Sequence, residues 1–287
     1  MYQRYAPTLL LLILAAGCSK GDKVPAFVDI GEVTMSTTSG QGGATSKVTD
    51  AWVTLNEKLL GVWELPARIP VLAEGPNVIG LVPAIKRNGT FDDRLRYPFY
   101  TPFSTTVNLI REGTAAVNPV TSYTDETLVW QEGFEDPFSL FAITASSDTQ
   151  LLRFTPITNP ELLYLENSPC AGFRLDASHR YVRIESDEDF LSYGGPAFIE
   201  LDHRSDLLIT VGVKYFADGL ERYEPFVYLP PTYRSDGTMP WNKVYLDLSA
   251  FFNSAVAERD VYIEATLPDS RSSAEIYLDN IKLLRIP

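Results

Sequence analysis

The sequence predicts an all-β protein built from two β modules. Residues with β-branched or aromatic side chains recur in short runs, and Gly, Pro, Asn and Asp interrupt these runs at close intervals. No long stretch repeats apolar residues at the helical period, and strands do not alternate with helices along the chain. A parallel α/β fold is therefore disfavoured, and 287 residues suffice for two domains or one large domain.

Composition argues against several classes of function. The chain carries 24 Lys and Arg against 37 Asp and Glu, which gives a net charge of −13. This balance argues against a nucleic-acid partner and against a polybasic contact with anionic lipid, since both require a basic face. Two Cys and two His rule out a Cys-rich or His-rich metal site.

The first residues have the features of an export signal. Arg4 precedes the apolar run 9–16, which is too short to span a membrane. Small residues then lead directly to Cys18, and this arrangement resembles a bacterial lipobox. The resemblance implies a signal peptide over residues 1–17, with a diacylglycerol thioether and a palmitate-type acyl chain on Cys18. The alternative is an ordinary signal peptide followed by a chance cysteine.

Residues 18–23 would form the lipidated tether. This segment resembles the corresponding segment of Bacteroidota lipoproteins. The resemblance implies a lipid-anchored protein of the outer membrane. Asp22 is the only acid just after Cys18 and lies between two lysines, so the sequence leaves open whether the protein faces the periplasm or the cell surface. Cys170 would then be the only free thiol, and we expect it to be buried and inert.

The first module is predicted over residues 24–112. It shows strand patterns at 26–30, 51–55, 60–65 and 77–82, and Asn88-Gly89 is a strong hairpin signal. The segment 53–85 resembles PEGA-type and immunoglobulin-like modules, which are usually binding or spacer units. Residues 113–126 are small and polar, and they are predicted to form a linker.

The second module is predicted over residues 127–287. Its opening segment 130–137 and its closing segment 274–283 resemble the first and last strands of carbohydrate-binding-module jelly rolls, the galactose-binding-like sandwich. Between these ends, apolar residues alternate along 207–215, 244–248 and 261–267. The predicted fold is therefore a small β-sandwich followed by a jelly-roll β-sandwich.

No arrangement of residues predicts catalysis. The sequence lacks a Gly-x-Ser-x-Gly elbow, and its only histidines, His179 and His203, are expected at surface or turn positions. Glu200 and Asp202 would project from one face of a strand, as a glycosidase pair might, but with 37 acids such pairs arise by chance. We therefore expect no catalytic residues and no enzyme.

A structural calcium ion is implied by the jelly-roll resemblance. In modules of this type Ca²⁺ commonly joins the first strand to the last, and the matching positions here are Glu135 and Asp279, with Asp136 as a weaker third. Carboxylates are ligands that Ca²⁺ prefers. The alternative is that Asp279 caps a turn or accepts backbone N–H bonds.

A recognition surface is predicted where aromatic residues cluster before the strand at 244. The candidate ligand-binding residues are Tyr223, Tyr228, Tyr233, Arg234 and Trp241. Sugar rings stack on flat aromatic faces, and the same residue types anchor protein interfaces. The alternative is that these rings pack in the core of the sandwich.

Two functions fit these features. The first is a non-enzymatic accessory subunit that docks on an outer-membrane protein of a transport, secretion or assembly complex. The second is a glycan-binding lipoprotein that uses the jelly roll. The weak acidic signal after Cys18 favours the accessory subunit, because glycan capture requires display at the cell surface.

Overall fold

A computed structural model describes residues 24–165, 167–191 and 194–287, and it shows an all-β protein with two modules, which confirms the predicted class. The strands of the first module are β1 (Ala26–Ile30), β2 (Thr34–Ser36), β3 (Asp50–Leu55), β4 (Lys58–Glu64), β5 (Ala67–Val71), β6 (Gly75–Lys86), β7 (Arg94–Arg96), β8 (Phe103–Leu109), β9 (Thr114–Val117) and β10 (Val120–Ser122). The strands of the second module are β11 (Leu128–Glu132), β12 (Phe141–Ile143), β13 (Leu152–Phe154), β14 (Cys170–Asp176), β15 (Tyr181–Ser186), β16 (Ala197–Ser205), β17 (Ile209–Ala217), β18 (Leu220–Leu229), β19 (Asn242–Asp247), β20 (Ala257–Thr266) and β21 (Ser273–Arg285).

Three sheets form the first module. One has the order β5-β1-β9, a second has the order β4-β3-β6-β7 with β8 also paired to β6, and the third consists of β2 and β10. Alternate residues of β1 and β3 face the shared core, as the period of a half-buried strand requires. The turn between β3 and β4 places Asn56 and Glu57 at positive φ, which is the geometry of a tight hairpin turn.

Residues 113–126 belong to the first module and do not form a free linker. β9 pairs in parallel with β1, and β10 pairs in parallel with β2. The side chain of Val117 is buried in the core of the module. Small residues suit this segment because they fit a short edge strand as well as they fit a connector, so composition alone does not separate the two.

Two larger sheets form the sandwich of the second module. The covered sheet has the order β13-β14-β21-β16-β19, with β11 also paired to β21. The open sheet has the order β12-β15-β20-β17-β18. The alternating apolar residues predicted along 207–215, 244–248 and 261–267 meet between the two sheets in one core.

The first module packs on the outer face of the covered sheet. Tyr97, Phe99 and Tyr100 of the first module contact Phe198 and Tyr245 of the second through edge-to-face ring pairs with centroids 4.9–6.3 Å apart. Such pairs add to the free energy of apolar burial. The two modules therefore share an apolar core at their interface, which is separate from the core inside each module.

Buried charges lie beside this aromatic core. Glu200 accepts hydrogen bonds from the hydroxyls of Tyr100 (3.2 Å) and Tyr123 (2.9 Å), and its Oε2 lies 2.9 Å from Lys243 Nζ. Asp202 accepts a bond of 2.6 Å from Thr45, and Lys243 Nζ lies 3.7 Å from its Oδ2. A buried charge is tolerated only when it is paired in this way.

Candidate functional site

The outer faces of the two sheets differ in exposure. On the covered sheet, Glu200 and Lys282 are 0% exposed because the first module lies over them. On the open sheet, the outward side chains range from buried to exposed: Tyr262 is 1% exposed, the side chain of Arg183 about a fifth and Tyr228 60%. The open sheet is therefore the face of the sandwich from which side chains can reach a ligand.

Strand register brings a set of tyrosines and charged groups together on this face. Arg183 of β15, Glu264 of β20, Thr210 of β17 and Tyr228 of β18 lie in one row across the four strands. Neighbouring strands are about 4.8 Å apart, so these side chains are close neighbours. We call the outward set the tyrosine face, and its members are Tyr181, Arg183, Glu185, Thr210, Gly212, Lys214, Tyr223, Tyr228, Asp260, Tyr262 and Glu264.

A β-bulge places Tyr223 and Tyr228 on the same side of the sheet. They are five positions apart in the sequence, so a regular strand would direct their side chains to opposite faces. The register between β17 and β18 shifts between Val211 and Gly212, and the extra residue is Phe226. Tyr223 then lies opposite Lys214, while Phe226 packs against the core of the sandwich.

Arg183 is held between three rings and a carboxylate. Its guanidinium carbon lies 4.2 Å from the ring centroid of Tyr223, 5.3 Å from that of Tyr262 and 5.7 Å from that of Tyr181. Its Nε and Nη2 donate to Glu264 Oε2 at 2.9 and 2.7 Å, and the Tyr181 hydroxyl donates to the same oxygen at 2.8 Å. The planar guanidinium is fixed in position by these contacts.

Glu185 organises a second polar group on the same face. It accepts hydrogen bonds from the Tyr223 hydroxyl (2.8 Å) and from Lys214 Nζ (2.9 Å), and Lys214 Nζ also lies 3.0 Å from Asp260. Burial raises the pKa of Tyr223 to about 12, and Glu185 adds to the rise. Burial likewise raises the pKa of Tyr181 to about 12. Both phenols are therefore protonated at neutral pH and can donate or accept hydrogen bonds.

Gly212 allows one ring to form the floor of the face. A Cβ atom added to Gly212 would lie 2.4 Å from Tyr262 Cζ and 2.5 Å from Tyr262 Cε1. The ring of Tyr262 therefore occupies the space above β17 that any other residue would fill. Tyr262 is only 1% exposed, and Tyr223 contacts it edge-on with centroids 5.5 Å apart. The exposed edge of the face is Tyr228.

The other predicted recognition residues lie away from the tyrosine face. Tyr233 and Arg234 belong to the loop between β18 and β19, and Tyr233 is 57% exposed. Trp241 donates its Nε1 hydrogen to the carbonyl of Leu162 at 3.2 Å, and its ring contacts Tyr164 with centroids 5.5 Å apart. The structure thus brings Tyr223 and Tyr228 together and separates them from Trp241.

The carboxylate oxygens of Asp279 show whether this predicted calcium ligand fits a cation. Asp279 is 0% exposed, and its Oδ1 accepts the backbone N–H of Asn280 at 2.7 Å, while its buried Oδ2 has no hydrogen-bond partner among the described residues. Burial, and then the charge of Asp202, raises the pKa of Asp279 well above its usual range. Such an oxygen fits a cation ligand, because a cation would offset the cost of burial.

The carboxylate paired with Asp279 across the strands is Asp202, which lies opposite it in the register of β16 and β21. The Oδ1 of Asp202 is also buried without a partner in the described part of the chain. Glu135 accepts a hydrogen bond of 2.7 Å from Ser168, and Asp136 accepts the backbone N–H of Phe138 at 2.8 Å. Within the described ranges no group of three or more His, Cys, Asp or Glu could hold a metal ion. Calcium at Glu135 and Asp279 stays a prediction.

The histidines and the free cysteine occupy different environments. His179 is about half exposed, and its Nδ1 lies 3.1 Å from Asp176. His203 is 1% exposed, so the expected surface or turn position is wrong for it, because the first module and β19 cover the end of β16. Cys170 is buried as expected, and burial raises its pKa to about 12.

Cys18 and the signal peptide lie outside the described residues, so lipidation stays a prediction. In the part of the chain that the structure describes, no helix is long and apolar enough to cross a membrane.

Sequence reasoning missed Tyr181, Arg183, Tyr262 and Glu264. The signal was present, because the alternation that directs Val261 and Ile263 into the core directs Tyr262 and Glu264 outward. That signal does not say which outer face stays accessible, since both faces of the sandwich carry polar and aromatic residues.

No family model matches the chain, and no curated protein matches it. Among solved structures, it is similar to the carbohydrate-binding module TmCBM61, in complex with β-1,4-galactotriose, at 13% identity over 53% of this chain and 91% of that chain, with a TM-score of 0.33. It is also similar to a family 11 carbohydrate-binding module from Clostridium thermocellum, in complex with a β-1,3-1,4-mixed-linked tetrasaccharide, at 9% identity over 53% and 94% of the chains and a TM-score of 0.35. The K1 cleaved adhesin domain of Lys-gingipain from Porphyromonas gingivalis W83 matches at 12% identity over 54% and 97%, with a TM-score of 0.35. These identities and TM-scores are too low to transfer a ligand or a function.

Proposed function

We propose that this protein is a non-catalytic glycan-binding lipoprotein of the outer membrane, and that the tyrosine face of its second module binds the glycan. One observation carries the proposal. Aromatic rings, a guanidinium and carboxylates lie together on the only one of the two outer sandwich faces that the first module leaves accessible in the described structure.

The chemistry of the face suits a saccharide. A sugar ring presents apolar C–H surfaces that pack on aromatic side chains, together with hydroxyls that require hydrogen-bond donors and acceptors. Tyr228 offers a ring that is 60% exposed, and the phenols of Tyr181 and Tyr223 are protonated at neutral pH. Arg183 and Glu264 supply charged groups that are already held in place. Little side-chain ordering would then oppose binding.

In this proposal, a lipid on Cys18 anchors the protein to the membrane. The lipobox resemblance of the segment before Cys18 supports it, and the acidic composition of the chain is compatible with a protein held by lipid instead of by a basic surface.

The experiment compares Tyr228→Ala with Tyr233→Ala on a glycan array and by calorimetric titration with each glycan that the wild type retains. The two tyrosines are similarly exposed, at 60% and 57%, but only Tyr228 belongs to the tyrosine face. A ring at the centre of binding contributes about 2 kcal/mol or more, so Tyr228→Ala should weaken binding about 30-fold, with Tyr233→Ala near wild type. Equal loss in both variants, or no glycan bound by the wild type, contradicts the proposal.

The accessory-subunit interpretation remains the second candidate, and the described residues offer no observation that favours it over glycan binding. The same two variants separate them. Loss of a co-purifying membrane protein in Tyr228→Ala, with no glycan bound by the wild type, would support the accessory subunit.

A further inference from the structure

A cleft of 220 Å³ lies at the seam between the two modules, at one edge of the tyrosine face. Lys47, Lys86 and Asn88 of the first module line one side, and His203 and Asn242 of the second module line the other. Tyr228 also lines the cleft, so the cleft and the exposed ring of the tyrosine face are contiguous. Sites for whole drug-sized ligands occupy about 300–1,000 Å³, so this volume suits one substituent of a larger ligand.

The lining of the cleft is basic in an acidic protein. Among the described residues that line it are three lysines and one histidine but no carboxylate, although Asp and Glu outnumber Lys and Arg by 37 to 24 in the chain. Lys243 is neutralised by Glu200 and Asp202, whereas Lys86 Nζ lies 3.7 Å from the exposed Glu64 and 4.4 Å from the ring centroid of Phe91. Partial burial of its ammonium group, and then the charge of Lys86, lowers the pKa of Lys47. An anion between the two lysines would relieve this repulsion.

The hydrogen bonds of Asn242 determine which nitrogen of His203 carries the proton. Lys47 Nζ can only donate, and it lies 2.5 Å from Asn242, so the atom it meets is the amide oxygen. The amide NH₂ then faces His203 Nε2 at 3.0 Å, and Nε2 accepts. The ring hydrogen therefore sits on Nδ1, which is buried without a hydrogen-bond partner among the described residues.

This Nδ1–H group is a donor without an acceptor. Burial, and then the charge of Lys47, lowers the pKa of His203 to about 4, so the ring is neutral at pH 7. An unpaired buried donor is costly, and an oxygen ligand would satisfy it. The cleft thus offers the N–H donors of two ammonium groups to an acceptor that carries negative charge, and the ring of His203 belongs to its lining.

We infer that the seam cleft binds an oxyanion, a carboxylate or a sulfate, and that the glycan on the tyrosine face is an acidic one whose charged substituent enters the cleft beside Tyr228. This inference rests on the proposed function, because it names the class of glycan that the same face would hold.

The test titrates the full chain with oligogalacturonate, with the same oligomer after reduction of its carboxyl groups to alcohols, and with a sulfated neutral oligosaccharide. The variants are Lys47→Met and Lys86→Met. The control is Lys58→Met, an exposed lysine at the far end of the β3–β4 hairpin. We expect one of the two acidic ligands to bind at least about tenfold more tightly than the reduced oligomer, and each cleft variant to lose most of that difference while Lys58→Met keeps it. Whichever acidic ligand binds identifies the oxyanion.

A second measurement reports on the cleft without a glycan. The chain has only two histidines, so the ring protons of His203 can be followed by NMR with the exposed His179 as an internal reference. Saturable shifts of the His203 signals with free glucuronate or inorganic sulfate, lost in Lys47→Met, support the oxyanion site even if no oligosaccharide binds. Equal affinity for acidic and reduced oligomers overturns the inference and leaves glycan binding intact. Absence of any oligosaccharide binding, with unmoved His203 signals, overturns both.

Discussion

Replacing Lys243 with methionine removes the cation that neutralises the buried acids between the two modules. Lys243 Nζ lies 2.9 Å from Glu200 and 3.7 Å from Asp202, and all three side chains are at most 1% exposed. Burial lowers the pKa of Lys243, but the charges of Asp202 and Glu200 outweigh it and raise the pKa above its ordinary value. The lysine is therefore fully charged in the folded protein at neutral pH. Methionine keeps most of the volume of the side chain and none of its charge.

The two buried carboxylates that remain determine how much unfolding free energy the variant is expected to lose. Removing one partner of a buried ion pair costs about 3–5 kcal/mol, because the other charge stays buried without compensation. Lys282 lies near the same acids, and burial lowers its pKa to about 8, so it is already mostly charged at pH 7 and can gain little further charge to offset the loss. At about 2–4 °C per kcal/mol, the melting temperature should fall by about 6–20 °C.

The assay is urea unfolding of the full chain at pH 7 and at pH 5, followed by tryptophan fluorescence. Burial raises the pKa of Asp202 and the charge of Lys243 opposes this rise, so without the lysine Asp202 should bind a proton more readily. The loss of unfolding free energy should then be smaller at pH 5 than at pH 7. Lys58→Met is the matched control, and it should change stability by less than about 0.5 kcal/mol because Lys58 is exposed. Adding Glu200→Gln to Lys243→Met should restore part of the loss.

A Lys243→Met protein within about 1 kcal/mol of wild type at pH 7 would refute this account of the seam. The same holds for a loss that does not depend on pH, because a purely steric defect would not titrate.

Three further predictions concern the buried acid of β21 and the membrane anchor. If Glu135 and Asp279 bind calcium, a chelator should lower the melting temperature of the wild type, and Asp279→Ala should abolish this sensitivity; identical melting curves with and without chelator would count against the site. In chelator, Asp279→Asn should gain stability relative to wild type as pH rises from about 4 to about 8. Because the folded-state pKa of Asp279 is raised, its protonated form contributes fully to the unfolding free energy below the ordinary value of 3.8, and this contribution is lost as pH rises through the folded-state pKa. Asparagine does not titrate, so the stability of Asp279→Asn lacks this dependence on pH. A stability difference between the two proteins that is constant with pH contradicts the prediction. Cys18→Ala should move the protein from the membrane fraction to the soluble fraction, and full retention in membranes would mean that another contact holds it.

Local patterns in the sequence were enough to predict several strands of both modules. Apolar alternation predicted β1, β3, β17 and β20, because one buried face per strand imposes a period of two on the residues themselves. The turn predicted at Asn88-Gly89 was equally local, since positive φ favours those residue types and both residues adopt it. Residues 113–126 were wrongly predicted to be a linker, because short edge strands of small residues have the same composition as a linker.

The candidate site required contacts that no local pattern contains. A bulge at Phe226 decided that Tyr223 and Tyr228 share a face, and strand register decided that Arg183 and Glu264 join them. Docking of the first module decided which sandwich face remains accessible, and it buried Glu200 with Lys243 instead of leaving an acidic pair at the surface. The all-β class and the alternation of side chains between the two faces of a strand follow from the residues alone. Which sheet face is exposed to solvent follows from the folded chain, because exposure depends on what another part of the chain packs against.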